Sequence, residues 1–211
     1  MATIKSGILG GFQGKVGTVV GSTWRGRDII RSLPKSSGKN PTELQQLQRV
    51  KFKAVTTFLN PLRTPLGVYF GSASGVRSRF NLATAYHLTD AVEVTDGVAQ
   101  ILYPRVLVAK GTLFGFQNLT VSHAGTDITL EWEDNIVLGN AKAEDVVNVV
   151  CYSEVYNTFL VFQNVAMREA LSATVSLPQN FTGTAVELYA FIYDPVTKTA
   201  STSVYLGNIA F

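Results

Sequence analysis

Cysteine is nearly missing from this chain of 211 residues: Cys151 stands alone, so no disulfide framework can form within it. Histidine is almost as scarce. His87 and His123 are the only two, and with one thiol they make no recognisable zinc or haem cassette. Acids are missing from one end, where the first 80 residues carry only Asp28 and Glu43. No apolar run approaches the roughly 20 residues of a membrane-spanning helix. A secretion signal needs a continuous apolar stretch of about 7–15 residues; here glycines and Gln13 interrupt it and Lys15 ends it. The expectation is synthesis in the cytoplasm with no membrane span, which leaves release in a particle or export by another route open.

Two nucleotide-binding motifs are missing as well. A phosphate loop requires Gly, four residues, then Gly-Lys-Ser/Thr, so that backbone N–H groups wrap the phosphates. Five residues before Gly14 stands Leu9, and Val16 follows Lys15. A dinucleotide fingerprint fails as well, because no strand precedes the glycines and no βαβ unit follows them.

What is present is enough for a real core. Hydrophobic residues make up 46% and charged residues 16%, which suits one large domain or two small ones. The net charge of +3 conceals opposite halves: residues 1–80 hold thirteen Lys/Arg against two acids, and residues 81–211 hold five against thirteen. A bipolar field of this kind steers the basic end of one copy toward the acidic end of another, or toward a polyanion.

The first 40 residues read as a basic, glycine-rich arm. Lys15 to Trp24 is rich in β-formers, Gly26 punctuates it, and Arg27-Asp-Ile-Ile-Arg-Ser-Leu33 resumes an extended pattern before Pro34. The spacing predicts a β-hairpin turning near Gly26, followed by a polar link, Lys35 to Asn40. Gly14, Lys15, Val19, Val20, Trp24, Arg25, Arg27, Ile29, Ile30 and Arg31 are its candidate assembly residues. A two-stranded hairpin is marginal in water and needs a surface to lie on, its own body or a neighbour's sheet edge.

Residues 41–112 read as a mixed helical connection. Asn40-Pro-Thr-Glu is a good helix start, and Leu44, Leu47, Phe52, Val55, Phe58 and Leu59 form an apolar stripe that ends near Asn60-Pro61. Residues 61–75 read as loop, and Ser78 to Val92 as a second short helix. His87 within it has no partner one turn on, which favours a packing role over a ligand role. Glu43, Asp90 and Glu93 are the acids near this region, with no spacing that singles them out as catalytic.

Residues 113–211 show seven short strand patterns separated by turn residues, the count for a seven-stranded antiparallel β-sandwich. The expected fold class is therefore mainly β with a small helical part: this sandwich preceded by the hairpin arm and two short helices. Ile128-Thr-Leu-Glu-Trp132 and Leu188-Tyr-Ala-Phe-Ile-Tyr193 resemble the second and sixth strands of a fibronectin type III or related immunoglobulin-like domain over about residues 115–211. That resemblance implies packing roles for Trp132 and Cys151. As a nucleophile Cys151 would need a base, and His123 is the sole candidate. Glu131, Glu133 and Asp134 lack calcium-loop spacing and read as a solvated face.

The opening Ser6 to Trp24, then Arg31-Ser-Leu-Pro, then Gln45-Gln-Leu-Gln-Arg49 with Lys51-Phe52, resembles an uncharacterised family of Bacteroidota proteins known as a domain of unknown function. The resemblance implies a bacterial or bacteriophage setting and brings no catalytic residues.

The expected function is a structural, self-assembling subunit of a filament or virion-like particle, a homo-oligomer joined through the N-terminal arm. The alternative is a nucleic-acid-binding structural protein using Lys15, Arg25, Arg27, Arg31, Lys51 and Lys53, with Trp24 as a stacking platform. A carbohydrate-binding module is a further class, on fold analogy alone. No enzyme activity, cofactor or metal is expected.

Overall fold

The computed structural model describes residues 3–4, 10–24, 26–35, 40–73 and 77–211. The chain separates into two compact units, Met1–Thr42 and Glu43–Phe211. It is mainly β, with several antiparallel sheets and a helical segment, and no described helix is long and apolar enough to cross a membrane.

In the first unit β1 (Thr3–Ile4), β2 (Phe12–Val16), β3 (Val19–Trp24) and β4 (Arg27–Ser32) form one antiparallel sheet in that order. The single hairpin expected at Gly26 is thus the last of three successive antiparallel pairings. An earlier one turns at Gly17-Thr18, inside the stretch read as one strand. Gly17 has φ 56° and Gly26 φ 78°, so each tight turn places its glycine where other L-residues are strained.

The second unit begins with α1 (Glu43–Leu59), which starts at the end of Asn40-Pro-Thr-Glu, two residues beyond the Pro41 expected to open it. A 3-10 turn (Asn60–Leu62) and α2 (Arg63–Tyr69) carry the helical path onward. Residues 61–75 are therefore not simply loop. Pro61 and Pro65 each sit in the first turn of a helical segment, where a missing N–H costs nothing. The stripe continues across the joint as Val55, Phe58, Leu59, Leu62, Leu66 and Tyr69, all buried. Its upstream half differs from expectation: Leu44 is 74% and Phe52 53% exposed, because only the downstream turns meet a sheet. After α3 (Arg79–Asp90), capped by the Ser78 hydroxyl accepting the Asn81 N–H at 3.2 Å, an unforeseen hairpin pairs β5 (Val92–Thr95) with β6 (Val98–Ile101). Its turn, Asp96-Gly97, has φ of 53° and 79°, the signature of an Asp-Gly hairpin turn.

Residues 113–211 hold eight strands rather than seven. β7 (Thr120–Ala124), β8 (Asp127–Glu131) and, later in the chain, β11 form a three-stranded sheet ordered β11-β8-β7. β9 (Val146–Ser153), β10 (Thr158–Met167), β12 and two further strands form the second sheet. Here β11 is Ser172–Ser176, β12 is Ala185–Asp194, β13 is Thr199–Ala200 and β14 is Val204–Ala210. The second sheet is ordered β10-β9-β12, with β13 and β14 both paired to β12. The eighth strand is β13, a two-residue rung just beyond the Asp194–Lys198 turn.

Two cores share the five-stranded sheet. Val147, Val149, Cys151, Leu188, Ala190 and Ile192 point to one face and pack with Ile128, Leu130 and Trp132 of the β8 segment and Ala173 and Val175 of β11. Val150, Tyr152, Tyr189 and Phe191 point to the other and pack with Val55, Phe58, Leu62, Leu66 and Tyr69. Each large apolar side chain removed from water contributes about 1.5–3 kcal/mol, so both faces carry substantial stabilisation. This is why β9 and β12 read as near-continuous apolar runs while β8 alternates.

Candidate assembly sheet

The register of the N-terminal sheet sorts the expected arm residues onto faces. Val20 pairs with both Lys15 and Arg31, Ser22 with Ile29, and Trp24 with Arg27. Paired residues share a face, as do alternate residues of one strand. Lys15, Val20, Trp24, Arg27, Ile29 and Arg31 therefore lie together on one side. Val19 and Ile30 fall on the opposite side with Val16, Thr23 and Asp28, and Gly14 pairs Gly21 there. Arg25 lies outside the described residues, as do 36–39 of the expected link and 1–2 and 5–9 of the arm.

The cationic face contains no acid, and none of Lys15, Arg27 or Arg31 has a carboxylate within salt-bridge distance among the described residues. Three cations with two aliphatic residues and a half-exposed Trp24 make a surface suited to an anionic partner. A polar chain runs across the strands. Gln13 Nε2 donates to Thr23 Oγ1 at 3.0 Å, and that hydroxyl donates to Asp28 Oδ1 at 3.0 Å, so β2, β3 and β4 are tied side chain to side chain. Phe12 lies over Gly21, where an added Cβ would overlap the Phe12 carbonyl oxygen and ring.

Gln13, Thr23, Asp28 and Phe12 were not among the candidate assembly residues. A signal for two of them existed: a two-residue loop at positions 25 and 26 pairs 24 with 27, hence 23 with 28.

Among its described residues this sheet has no core. Gly21 is the only buried residue among those described in Met1–Thr42, Ile30 is 67% exposed, and Val16 is 51% exposed. A sheet of this size with both faces wet has its backbone ladder but little apolar burial to offset the entropy of ordering it.

The remaining sequence candidates fall in the second unit. Trp132 is buried, its Nε1–H donating to the Arg168 carbonyl at 2.9 Å. Cys151 is buried and its thiol is pushed up to about 12 by desolvation, which removes the thiolate a nucleophile needs. His123 stacks edge-on against Phe211 at 5.4 Å. His87 is fully buried and fully used: its Nδ1–H donates to the Ala83 carbonyl at 2.8 Å and its Nε2 accepts the Leu107 N–H at 3.3 Å. Burial pushes its pKa down and outweighs the opposing backbone bond and Asp90, so the ring is neutral and structural. Among the described residues no group of three or more His, Cys, Asp or Glu side chains could hold a metal, Glu131, Glu133 and Asp134 included.

A model of a family of unknown function, DUF6266, matches residues 11–207, nearly the whole length. The chain belongs to the DUF6266 family. For this DUF6266 protein the match covers β2 to β4 and the second unit alike, so both are parts of the family's pattern. No curated protein matches it. The solution structure of the fn3 domain of human contactin 1 is similar over 47% of this chain and 76% of that domain, at 14% identity and a TM-score of 0.27. A likeness that loose carries no argument, and the architecture of the DUF6266 body rests on its own strand register.

Proposed function

We propose that this protein is a structural subunit that assembles with copies of itself, the N-terminal sheet of one copy docking on the acidic body of another. The observation that carries this reading is the four-stranded sheet with no buried residue but Gly21 among those described, and with an acid-free cationic face. The unit Glu43–Phe211 holds fourteen acids against eleven Lys/Arg, and Met1–Thr42 holds one against seven, so charge favours a contact between unlike units. β1 and β4 are the sheet's edges, and an edge strand offers unpaired N–H and C=O groups to a neighbour. A head-to-tail contact of this kind propagates into a filament or closes into a shell. In this reading the body is a fibronectin type III-like sandwich, with β11-β8-β7 facing β10-β9-β12-β14, and the source is a Bacteroidota bacterium or its phage.

The test is light scattering and negative-stain imaging of the full chain beside the triple variant Lys15→Glu, Arg27→Glu, Arg31→Glu, both at low ionic strength. Assemblies of the natural chain that the variant cannot form are expected. A natural chain that stays monomeric at every concentration tried ends the proposal.

The placement of Trp24 beside Lys15, Arg27 and Arg31 on one face also favours a second reading, binding of single-stranded nucleic acid by stacking and phosphate contact. Three phosphate contacts would give a salt slope of about −2 in log K against log salt. Lack of retention of a labelled oligonucleotide at about 20 mM salt, well below physiological screening, would remove it.

A further inference from the structure

A cavity of about 410 Å³ in the second unit has the make-up of a ligand site that the assembly reading does not use. Its walls come from three stretches brought together by single backbone bridges. Lys110 N–H donates to the Tyr69 carbonyl at 3.1 Å, Gly71 N–H to the Lys110 carbonyl at 2.5 Å, and Leu113 N–H to the Ala200 carbonyl at 3.1 Å. Gly111 makes the approach of the second and third stretches feasible, since a Cβ there would overlap the Ala200 carbonyl. Gly71, at φ 60°, turns the first stretch away from α2.

The lining divides by chemistry. Val68, Tyr69, Phe70, Leu82 and Tyr86 supply an apolar wall, and Arg79, Lys110 and Lys198 supply three cations with no acid among them. Arg79, at the start of α3, is half-buried and donates one N–H to the Val68 carbonyl, which fixes its direction and leaves other guanidinium N–H groups for a ligand. The Lys110 ammonium sits 4.8 Å from the centre of the Tyr86 ring. Tyr86 is itself held by its hydroxyl, which donates to the Arg105 carbonyl at 3.1 Å. Neither lysine nor Arg79 has a carboxylate within salt-bridge distance among the described residues.

Like charges gathered around a low-dielectric wall repel one another, and an anion entering the cavity relieves that repulsion while its apolar part covers the wall. The volume falls within the usual range for small-molecule sites, roughly 300–1,000 Å³. We propose that this pocket binds a small organic anion, with its apolar body against Leu82 and Tyr86 and a carboxylate or phosphate head against Arg79, Lys110 and Lys198.

The experiment is calorimetric titration of the full chain with four probes: naphthalene-2-carboxylate, 2-naphthyl phosphate, neutral naphthalene-2-carboxamide and inorganic phosphate. At least one of the two aromatic anions is expected to bind about tenfold or more tighter than the carboxamide, since charge-assisted bonds are the stronger ones. Whichever of the two binds better identifies the head group. Lys110→Gln and Lys198→Asn lie at exposed positions and should each weaken that binding about threefold to tenfold, with the far-ultraviolet spectrum unchanged. Equal affinity for carboxamide and carboxylate overturns the proposal, as does binding of inorganic phosphate as tight as the aromatic anions, or full affinity in both variants. None of these outcomes depends on whether the chain assembles.

Discussion

The N-terminal sheet and the five-stranded sheet of the body are built from the same antiparallel ladder, yet they sit at opposite extremes of burial. β9 and β12 present Val147, Val149, Leu188 and Ile192 to one core and Val150, Tyr189 and Phe191 to another, all nearly inaccessible. β4 has six residues and every one is exposed. Ladder hydrogen bonds replace bonds to water and yield little net stability; the apolar surface a sheet removes from water yields more. This difference in burial among the described residues is what the assembly proposal rests on.

Perturbing each sheet in turn sharpens the contrast. The largest effect belongs to the buried ion pair at the rim of the body. Arg168 is inaccessible, its Nε and Nη2 each 3.1 Å from Asp145 Oδ2, with Nη1 donating to Asn135 Oδ1 at 2.7 Å and Nη2 to the Phe114 carbonyl at 2.6 Å. Asp145→Ala strands that charge and should cost about 3–5 kcal/mol in urea unfolding. Leu188→Ala, between the two sheets of the body, should cost about 2–5 kcal/mol by the same measurement. If either variant unfolds like the natural chain, the body does not depend on its cores as described.

Acid should weaken the body next. His87 has its pKa lowered by burial, so the unfolded chain takes up a proton that the folded one resists. The stability this group contributes is complete above its unfolded value of about 6.5 and declines as pH falls below it, by at most about 1.4 kcal/mol per pH unit. Denaturation midpoints at pH 7.5 and 5.5 check it, and a flat profile contradicts it. The smallest effect belongs to the N-terminal sheet. Ile30→Ala should shift the unfolding free energy of dilute, unassembled protein by no more than about 0.5 kcal/mol, as for an ordinary surface substitution. A loss as large as that of Leu188→Ala would erase the comparison.

Much of this was readable beforehand where a local rule decides the outcome. The start of α1 follows from Asn40-Pro-Thr-Glu, the turn at Gly26 from punctuation between β-formers, and the Asp194–Lys198 turn from its residues. At that turn the Asp194 carboxylate accepts the Val196 and Thr197 N–H groups at 2.8 and 3.2 Å and pairs with Lys142 at 2.8 Å. Burial opposes its ionisation, but Lys142 and Thr197 prevail and hold its carboxyl below the usual range. Two local signals went unused: Asp96-Gly97 marks the β5–β6 hairpin, and the apolar run Val146 to Tyr152, interrupted only by Asn148, marks a strand covered on both sides.

Other features had no local sign. Nothing near Arg168 distinguishes it from a surface arginine, because its partners come from positions 114, 135 and 145. Pro61 and Pro65 read as breakers, since whether a proline ends a helix or begins the next segment depends on the sheet that the buried stripe meets. The anion pocket likewise joins residues 68–86, 110–112 and 198–200, which only the folded body brings together.

By itself, then, the sequence determined the basic arm and acidic body, most strands of the 113–211 region and some of the turns, and the want of metal or nucleotide motifs, because composition, side-chain alternation and turn chemistry act over a few residues. Only the tertiary structure decided which cations share a face, which strands are buried twice, and which side chains close a pocket. Those outcomes depend on strand register and on the packing of distant segments, where free energy is gained by excluding water between surfaces that no single stretch of chain contains.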